Sequence, residues 1–207
     1  MPIRSISCAP WVLALALVLV LAGCGPSATP ASGGARRTAA TASSMDAETA
    51  LLRLLVLIRD RPELRDVDRE ALQQAFDVPF TSGDDAVDAL EGLRYEGPAA
   101  KGWRVSIVLS RPGTEEAVLE LAFAPEAQDA PGPPPLATPI CALDFDRFAA
   151  ELRDMGLLHD KLRGELERSL KDMFRRPGQR VTVLSRGEAN EAAGQIVHAC
   201  VRRVLIE

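Results

Sequence analysis

The chain contains few of the residues from which catalytic and metal sites are usually built. Only two of its 207 residues are histidines, His159 and His198, and their spacing does not match a paired metal-ligand motif. It has neither a glycine-rich phosphate loop ending in lysine nor a Gly-x-Ser-x-Gly nucleophile turn. We therefore predict no catalytic, metal-binding or cofactor-binding residue and interpret both histidines as structural or merely exposed.

Pairs of carboxylates are the remaining candidates for catalytic residues, as a general acid and base. Glu165 and Glu167, or Asp144 and Asp146, lie two positions apart, and residues two apart on a helix do not share a face. They are better explained as helix caps and solvated faces, with Glu167 four residues before Lys171 as a surface ion pair. The protein is predicted not to be an enzyme; the alternative is an enzyme with an unrecognised site.

The sequence also lacks a basic excess and a long apolar run. It has 24 basic and 29 acidic residues and a formal net charge of −5, which disfavours nucleic acid as a partner. Its main apolar run covers residues 9–23 with a core of twelve residues, 11–22, whereas a helix needs about 20 to span a bilayer. Because Arg4 is the only charge before it, this run indicates a cleaved signal peptide.

The apolar run ends in Leu21-Ala22-Gly23-Cys24, which resembles the lipobox of bacterial lipoproteins. The resemblance implies cleavage before Cys24, acylation of its thiol, and a mature protein held on a membrane outside the cytoplasm. Several acyl chains, at about 0.8 kcal/mol per buried methylene, anchor far more firmly than one. The alternatives are an ordinary secretory signal with a chance cysteine, or a buried apolar helix. In the enteric sorting rules, an aspartate directly after the acylated cysteine retains a lipoprotein. Gly25 occupies that position instead, which favours an outer membrane facing the periplasm if the host is Gram-negative.

Residues 25–44 consist almost entirely of Gly, Ser, Ala, Thr and Pro and cannot bury enough apolar surface to fold. We interpret them as a tether with a reach of roughly 25 Å. Loss of residues 1–23 removes one arginine and no acid, so the net charge changes from −5 to −6. With Cys8 removed and Cys24 acylated, Cys141 and Cys200 remain in an oxidising compartment. We predict a disulfide between them; the alternative is two buried thiols.

Apolar periodicity predicts a helical hairpin followed by a β-hairpin in the first half of the folded part. The predicted helices cover residues 47–59 and a segment from Asp66 or Asp68 to Phe76, and the strands cover 103–110 and 116–123. Residues 83–97 are ambiguous, with 86–93 compatible with one or two helical turns. The sheet is expected to bury one face and to expose the other to water or a partner.

The second half follows a proline-rich linker, residues 125–139. Its pattern predicts a short strand at 140–143, a helix capped by Asp144 and stopped by Gly156, and a second helix at 158–175. Two strands, 180–185 and 195–206, close the chain. Basic residues at Arg175-Arg176 and Arg202-Arg203, with Arg180 and Arg186 at the same end, indicate either a positive patch or the solvated rim of a sheet.

The predicted fold class is α+β, with helical hairpins packed on an antiparallel sheet. The segment Asp66–Arg69 precedes the similar Asp144–Arg147 by 78 residues, and the same offset relates the hairpin strands to the last two strands. This indicates two tandem α-α-β-β units, 45–124 and 140–207, after the signal (1–23) and the lipidated tether (24–44). The alternative is a coincidence of common turn lengths.

The order of elements is similar to helix-helix-sheet modules of outer-membrane assembly lipoproteins and of tandem secreted enzyme inhibitors. That resemblance implies a protein-binding or scaffold function for an envelope or secreted partner, through an exposed sheet face, sheet edges or polar loops. It implies no small-molecule cofactor and transfers no functional residue. The alternatives are a periplasmic inhibitor or immunity protein against a secreted effector and, in another class, an envelope enzyme.

Overall fold

The computed structural model describes residues 45–82, 92–126, 135–162, 170–189 and 196–207. Within them the chain forms three α-helices and one eight-stranded antiparallel sheet, so the predicted α+β class is confirmed. The helices are α1 (Ala47–Asp60), α2 (Arg69–Phe76) and α3 (Phe145–Asp154), with 3₁₀ turns at Leu64–Asp66 and Thr138–Ile140. The strands are β1 (Thr81–Ser82), β2 (Gly92–Ala100), β3 (Trp103–Ser110), β4 (Val118–Pro125), β5 (Leu158–Leu162), β6 (Leu170–Arg176), β7 (Gln179–Gly187) and β8 (Ala199–Ile206).

The strand order is symmetric about the centre of the sheet. It runs β1-β2-β3-β4-β8-β7-β6-β5, and all neighbouring strands are antiparallel. Each half of the sequence therefore contributes four consecutive strands. The last strands of the halves meet in the middle, where Leu119 of β4 lies opposite Ile206 of β8 and Ala122 lies opposite Arg203.

One face of the sheet carries the hydrophobic core. Along β3, every second side chain is fully buried, from Trp103 to Leu109, which is the period-two pattern of a strand with one covered face. The three α-helices pack on this face and share one core cluster with it. Two contacts of β6 show this packing directly: the Phe145 ring of α3 lies 6.5 Å from Phe174, and Arg176 donates a hydrogen bond to the Ile58 carbonyl of α1.

The predicted helix boundaries in the first half and at α3 are confirmed, and side-chain caps explain them. Asp46, Asp68 and Asp144 each accept a hydrogen bond from the backbone N–H three residues later, which satisfies one of the free N–H groups at a helix start. Helix α3 is followed by Gly156 at φ +85°, a conformation that favours glycine. Local sequence is sufficient to set these ends.

The predicted helix at residues 158–175 is wrong. This segment instead contains β5 and β6, with Leu158 opposite Arg175. An apolar residue at every fourth position from Leu158 to Leu170 satisfies a helical period, but burial within β6 alternates, with Asp172 and Phe174 inside and their neighbours further out. Pairing with β7 provides β6 with backbone hydrogen bonds and a core face, and this tertiary context outweighs the local pattern.

The predicted strand at residues 140–143 is also wrong. Thr138–Ile140 forms a 3₁₀ turn, with Pro139 inside it, and only Asp144 makes an isolated bridge, to Cys200 of β8. In the ambiguous segment 83–97, residues 92–97 belong to β2, while 83–91 lie outside the described residues. The signal, lipobox and tether, residues 1–44, and part of the linker, 127–134, also lie outside them.

Candidate functional site

The predicted disulfide between Cys141 and Cys200 is confirmed. The two residues are bonded, with their Cα atoms 4.8 Å apart and a sequence separation of 59. Cys141 directly follows the 3₁₀ turn, Cys200 lies in β8, and both are buried. The bond therefore joins the segment before α3 to the centre of the sheet.

A polar cluster surrounds this disulfide. His198 Nδ1 lies 2.7 Å from Glu188 Oε2 and 3.8 Å from Cys141 Sγ, while His198 Nε2 lies 3.2 Å from Asp144 Oδ2. The backbone sets this arrangement, because Glu188 N–H donates to the His198 carbonyl across the β7–β8 connection and Ala137 N–H donates to the Glu188 carbonyl. We call Cys141, Cys200, Asp144, Glu188 and His198 the disulfide cluster.

The charges of the disulfide cluster favour a protonated histidine. Hydrogen bonds to Glu188 and then to Asp144 raise the pKa of His198. The same contact with His198, followed by one from Thr138, lowers the pKa of Glu188. Burial of Asp144 acts to raise its pKa. The hydrogen bonds that Asp144 accepts from Arg147 N–H and His198 have the larger combined effect, so its pKa is lowered. Both ring nitrogens of His198 can then donate at once, each to its own carboxylate.

Sequence reasoning found three members of this cluster and missed the role of two. The bond between Cys141 and Cys200 and the capping by Asp144 were predicted. His198 was assigned no role beyond structure or exposure, and Glu188 was assigned only to a polar loop. No local signal identifies them, because 54 residues separate His198 from Asp144 and ten separate it from Glu188.

The other histidine lies in a strand and not, as predicted, at a helix start. His159 Nε2 is 2.7 Å from Asp172 Oδ1, and its ring stacks on Phe174 at 4.3 Å. Only 17% of the His159 side chain and 10% of the Asp172 side chain are exposed. The pair links the edge strand β5 to β6 on the core side of the sheet.

A shallow cleft between the 3₁₀ turn at 64–66 and the β3–β4 loop has a volume of about 160 Å³. Ligand pockets usually measure about 300–1,000 Å³. Arg65 in its wall is ion-paired with Glu63 and Glu115, and the hydrogen bond to Glu115 raises the pKa of Arg65. Its charge is therefore already compensated, which makes the cleft a poor candidate for a charged ligand.

The carboxylate pairs considered from the sequence do not form a site in the described part of the chain. Asp144 caps α3 and contacts His198, whereas Asp146 is exposed in the first turn of the helix. Glu165 and Glu167 lie outside the described residues.

The sheet face opposite the helices is a second candidate site, which we call the open face. Its centre is formed by outward side chains of β3, β4, β8, β7 and β6 that are half-buried and small or apolar: Ser106, Val108, Ala122, Leu205, Leu184 and Met173. In the register of the sheet these residues alternate with charged ones: Glu120 lies between Val108 and Leu205, and Arg203 lies between Ala122 and Leu184. Glu120 and Arg203 form an ion pair. The result is a surface that mixes small or apolar side chains with charged ones, as protein contacts do.

The open face and the helical layer differ in charge. Segments 46–77 and 144–154, which contain the helices, carry twelve acidic and seven basic residues. The described outward side chains of the open face include six basic and four acidic residues: Arg94, Arg104, Lys171, Arg175, Arg180, Arg203, and Glu96, Glu120, Asp160, Glu207. All four acids are ion-paired with arginines of the same face. Among the described residues, no ion pair compensates the positive charge of Arg94 or Lys171.

The basic residues noted in the sequence separate into two groups. Arg175, Arg180 and Arg203 lie on the open face. Arg176 contacts α1, and Arg186 stacks 5.6 Å over the Trp103 ring and donates to the Pro135 carbonyl. Burial, followed by repulsion from Arg202, lowers the pKa of Arg186.

Comparisons with models of protein families, with curated proteins and with solved structures found no match to this chain. No helix in the described residues is long and apolar enough to cross a membrane.

We expect removal of the disulfide by the double substitution Cys141→Ser and Cys200→Ser to lower the free energy of unfolding by about 2–4 kcal/mol, because the unfolded chain regains the freedom of a long closed loop. Urea unfolding of both proteins in metal-free, non-reducing buffer measures this. A reducing agent should move the unfolding midpoint of the wild-type protein in the same direction and leave the double variant unchanged. Equal midpoints for the two proteins would contradict the prediction.

Proposed function

We propose that this chain is a bacterial envelope lipoprotein, anchored through Cys24, whose folded domain binds a protein partner. The anchor is supported by the signal-like run at 9–23 and the lipobox Leu21-Ala22-Gly23-Cys24. A tether of about twenty residues lets such a domain reach partners on the same surface, where anchoring raises the effective concentration. The domain itself supplies the binding surface.

The observation that carries the binding function is the open face. Half-buried Val108, Ala122 and Leu205 lie at its centre beside the ion pair of Glu120 with Arg203. Protein–protein interfaces bury apolar side chains together with hydrogen-bonded polar groups and are enriched in arginine, and this mixed surface fits that description.

The partner proposed is a protein whose surface presents apolar side chains together with acidic ones. Arg94 and Lys171 have no ion-pair partner among the described residues, on a chain whose net charge is negative. Complementary charge on the partner would increase the rate and specificity of association. Anionic lipid fits this face less well. Membrane-surface contacts depend on bulky apolar side chains entering the bilayer, whereas Ser106 and Ala122 are small.

Site-specific photo-crosslinking in cells that produce the full lipoprotein tests this proposal. A photoreactive phenylalanine replaces Val108 or Leu205 on the open face and, as a control, Gln74 on the exposed side of α2. We expect one discrete crosslinked product from both open-face positions and none from Gln74.

Charge reversal provides the matched control. Arg94→Glu with Lys171→Glu should reduce the yield of this product at least tenfold, because two attractive contacts become repulsive. Arg59→Glu, in the helical layer, should leave it unchanged. The interface would be refuted by crosslinks to lipid alone or by equal crosslinking yields from all positions. It would also be refuted by a product whose yield does not change on charge reversal.

We also propose that the two halves arose by duplication, as repeats of one helix and four strands. The offset of 78 residues carries α2 onto α3, β1 onto β5, β2 onto β6 and β3 onto β7 to within about two residues, and β4 onto β8 to within three. The symmetric strand order supports this proposal. A homologue with a single repeat that dimerises through β4 would support it further, and a homologue with an unrelated first half would oppose it.

A further inference from the structure

We propose that reduction of the Cys141–Cys200 disulfide creates a zinc site formed by Cys141, Cys200, His198 and Glu188. Two thiolates, one imidazole nitrogen and one carboxylate oxygen make a four-coordinate donor set suited to Zn²⁺. In the oxidised protein the sulfurs are bonded to each other, so they are not thiolate ligands. The site exists only in the reduced state.

The donor atoms already converge in the oxidised structure. A ligand atom from each of Cys141, Glu188 and His198 lies within 4.8 Å of the other two. The distance from Cys141 Sγ to His198 Nδ1 is 3.8 Å, and tetrahedral zinc with bonds of about 2.3 Å to sulfur and 2.0 Å to nitrogen needs about 3.5 Å between these atoms. Cys200 Sγ is bonded to Cys141 Sγ and therefore lies beside the same point. On reduction the two sulfurs must move apart to take separate positions around the metal, while the other donor atoms are already close to it.

The second nitrogen of His198 provides an independent argument. Metal-binding histidines usually donate their other ring N–H to a carboxylate, which fixes the orientation of the ring. His198 Nε2 lies 3.2 Å from Asp144 Oδ2 while Nδ1 faces Cys141 and Glu188. Asp144 is itself held by the backbone N–H of Arg147 at the start of α3. Asp144 is thus a positioning residue for the proposed ligand.

The chemistry balances with a dithiol as reductant. The dithiol transfers two electrons and two protons to the disulfide, becomes a cyclic disulfide itself, and leaves Cys141 and Cys200 as thiols. Zinc then replaces both thiol protons and any proton on His198 Nδ1, and these are released to solvent. The metal would connect the 3₁₀ segment to β8 as the disulfide does, so this link would persist under reducing conditions.

Cobalt binding to the full chain in detergent tests the site. Cys8→Ser and Cys24→Ser make Cys141 and Cys200 the only cysteines, and a phosphine, oxidised to its oxide with oxygen from water, is a reductant that does not compete as a thiol ligand. The reduced protein should bind one equivalent of Co²⁺ with thiolate charge-transfer and tetrahedral ligand-field bands, which Zn²⁺ abolishes. The oxidised protein should show neither.

Three variants and one control distinguish a four-ligand site from metal binding by the two thiols alone. His198→Ala and Glu188→Gln should each weaken Co²⁺ binding at least tenfold. Asp144→Asn keeps a good N-cap residue and should weaken it about 10–100-fold and shift the ligand-field bands, while His159→Gln should change nothing. The proposal would be overturned if the thiolate–cobalt bands were absent. It would also be overturned if the His198 and Asp144 variants bound cobalt with the affinity and spectrum of the parent protein. If the reduced chain were unfolded, its cobalt affinity and spectrum would not depend on His198 or Asp144. Unfolding on reduction would therefore count against the site as well.

Discussion

We expect the Cys24→Ala variant to carry no lipid and to accumulate as an uncleaved precursor. In the proposed lipobox Leu21-Ala22-Gly23-Cys24 the thiol is the only group able to accept a diacylglyceryl group, and in lipoproteins cleavage follows that transfer. Without acyl chains the mature anchor is lost, because each buried methylene contributes about 0.8 kcal/mol of membrane affinity. Metabolic labelling with an alkyne fatty acid and gel mobility measure both effects, and the expected loss of labelling is complete.

The matched control is Cys8→Ala, which lies in the same signal segment. It should be labelled, shortened by 23 residues and recovered with membranes like the wild-type protein. A processed, membrane-bound product from Cys24→Ala would show that the segment is an ordinary signal or a buried helix, and would remove the basis for the tethered function.

The second large effect is expected from Trp103→Ala, which should lower the free energy of unfolding by about 3–5 kcal/mol. Trp103 is completely buried at the start of β3 and is among the largest fully buried side chains. Its Nε1 donates a 3.2 Å hydrogen bond to the Leu136 carbonyl, and Arg186 stacks on its ring. Alanine leaves a cavity and an unsatisfied carbonyl, and domains of this size are stable by only about 5–15 kcal/mol.

Urea unfolding followed by circular dichroism measures this loss, and two variants calibrate it. Trp103→Phe keeps most of the volume but removes the Nε1 donor, so it should cost about 1–3 kcal/mol. Ile107→Val, on the same buried face of β3, should cost about 0.5–1.5 kcal/mol. A Trp103→Ala protein less than about 1 kcal/mol below the wild type would mean that the core does not depend on this residue.

Much of the first half, and the start of α3 in the second, was predictable because the signals are local. Aspartates at positions 46, 68 and 144 stand one residue before the helices that they cap. The alternation along β3 and β4, separated by the turn at Arg111-Pro112-Gly113, predicts a hairpin from about twenty residues of sequence. In each case the interacting groups are neighbours in the chain, so their pattern alone indicates the structure.

The segment 158–176 shows where this reasoning fails. Its apolar residues satisfy a helical period, and nothing in the segment itself shows that β7 will pair with Phe174 and Asp172. A short apolar run fits either structure, and burial by distant elements decides between them. The same holds for the open face, since the central pairing of β4 with β8 joins residues more than 80 positions apart.

The lipobox at residues 21–24 stays a prediction from the sequence. The sequence by itself also predicted the starts of α1 and α3, a start of α2 at Asp66 or Asp68, the β3–β4 hairpin and the Cys141–Cys200 disulfide, and the structure confirms these. These depend on neighbouring residues or on elimination. Only the tertiary structure decided that four strands from each half form one sheet, that no described element covers the face opposite the helices, and that Glu188 and Asp144 hold His198 beside Cys141. Such contacts depend on how distant segments pair to bury apolar surface and satisfy backbone hydrogen bonds, and no local pattern records that pairing.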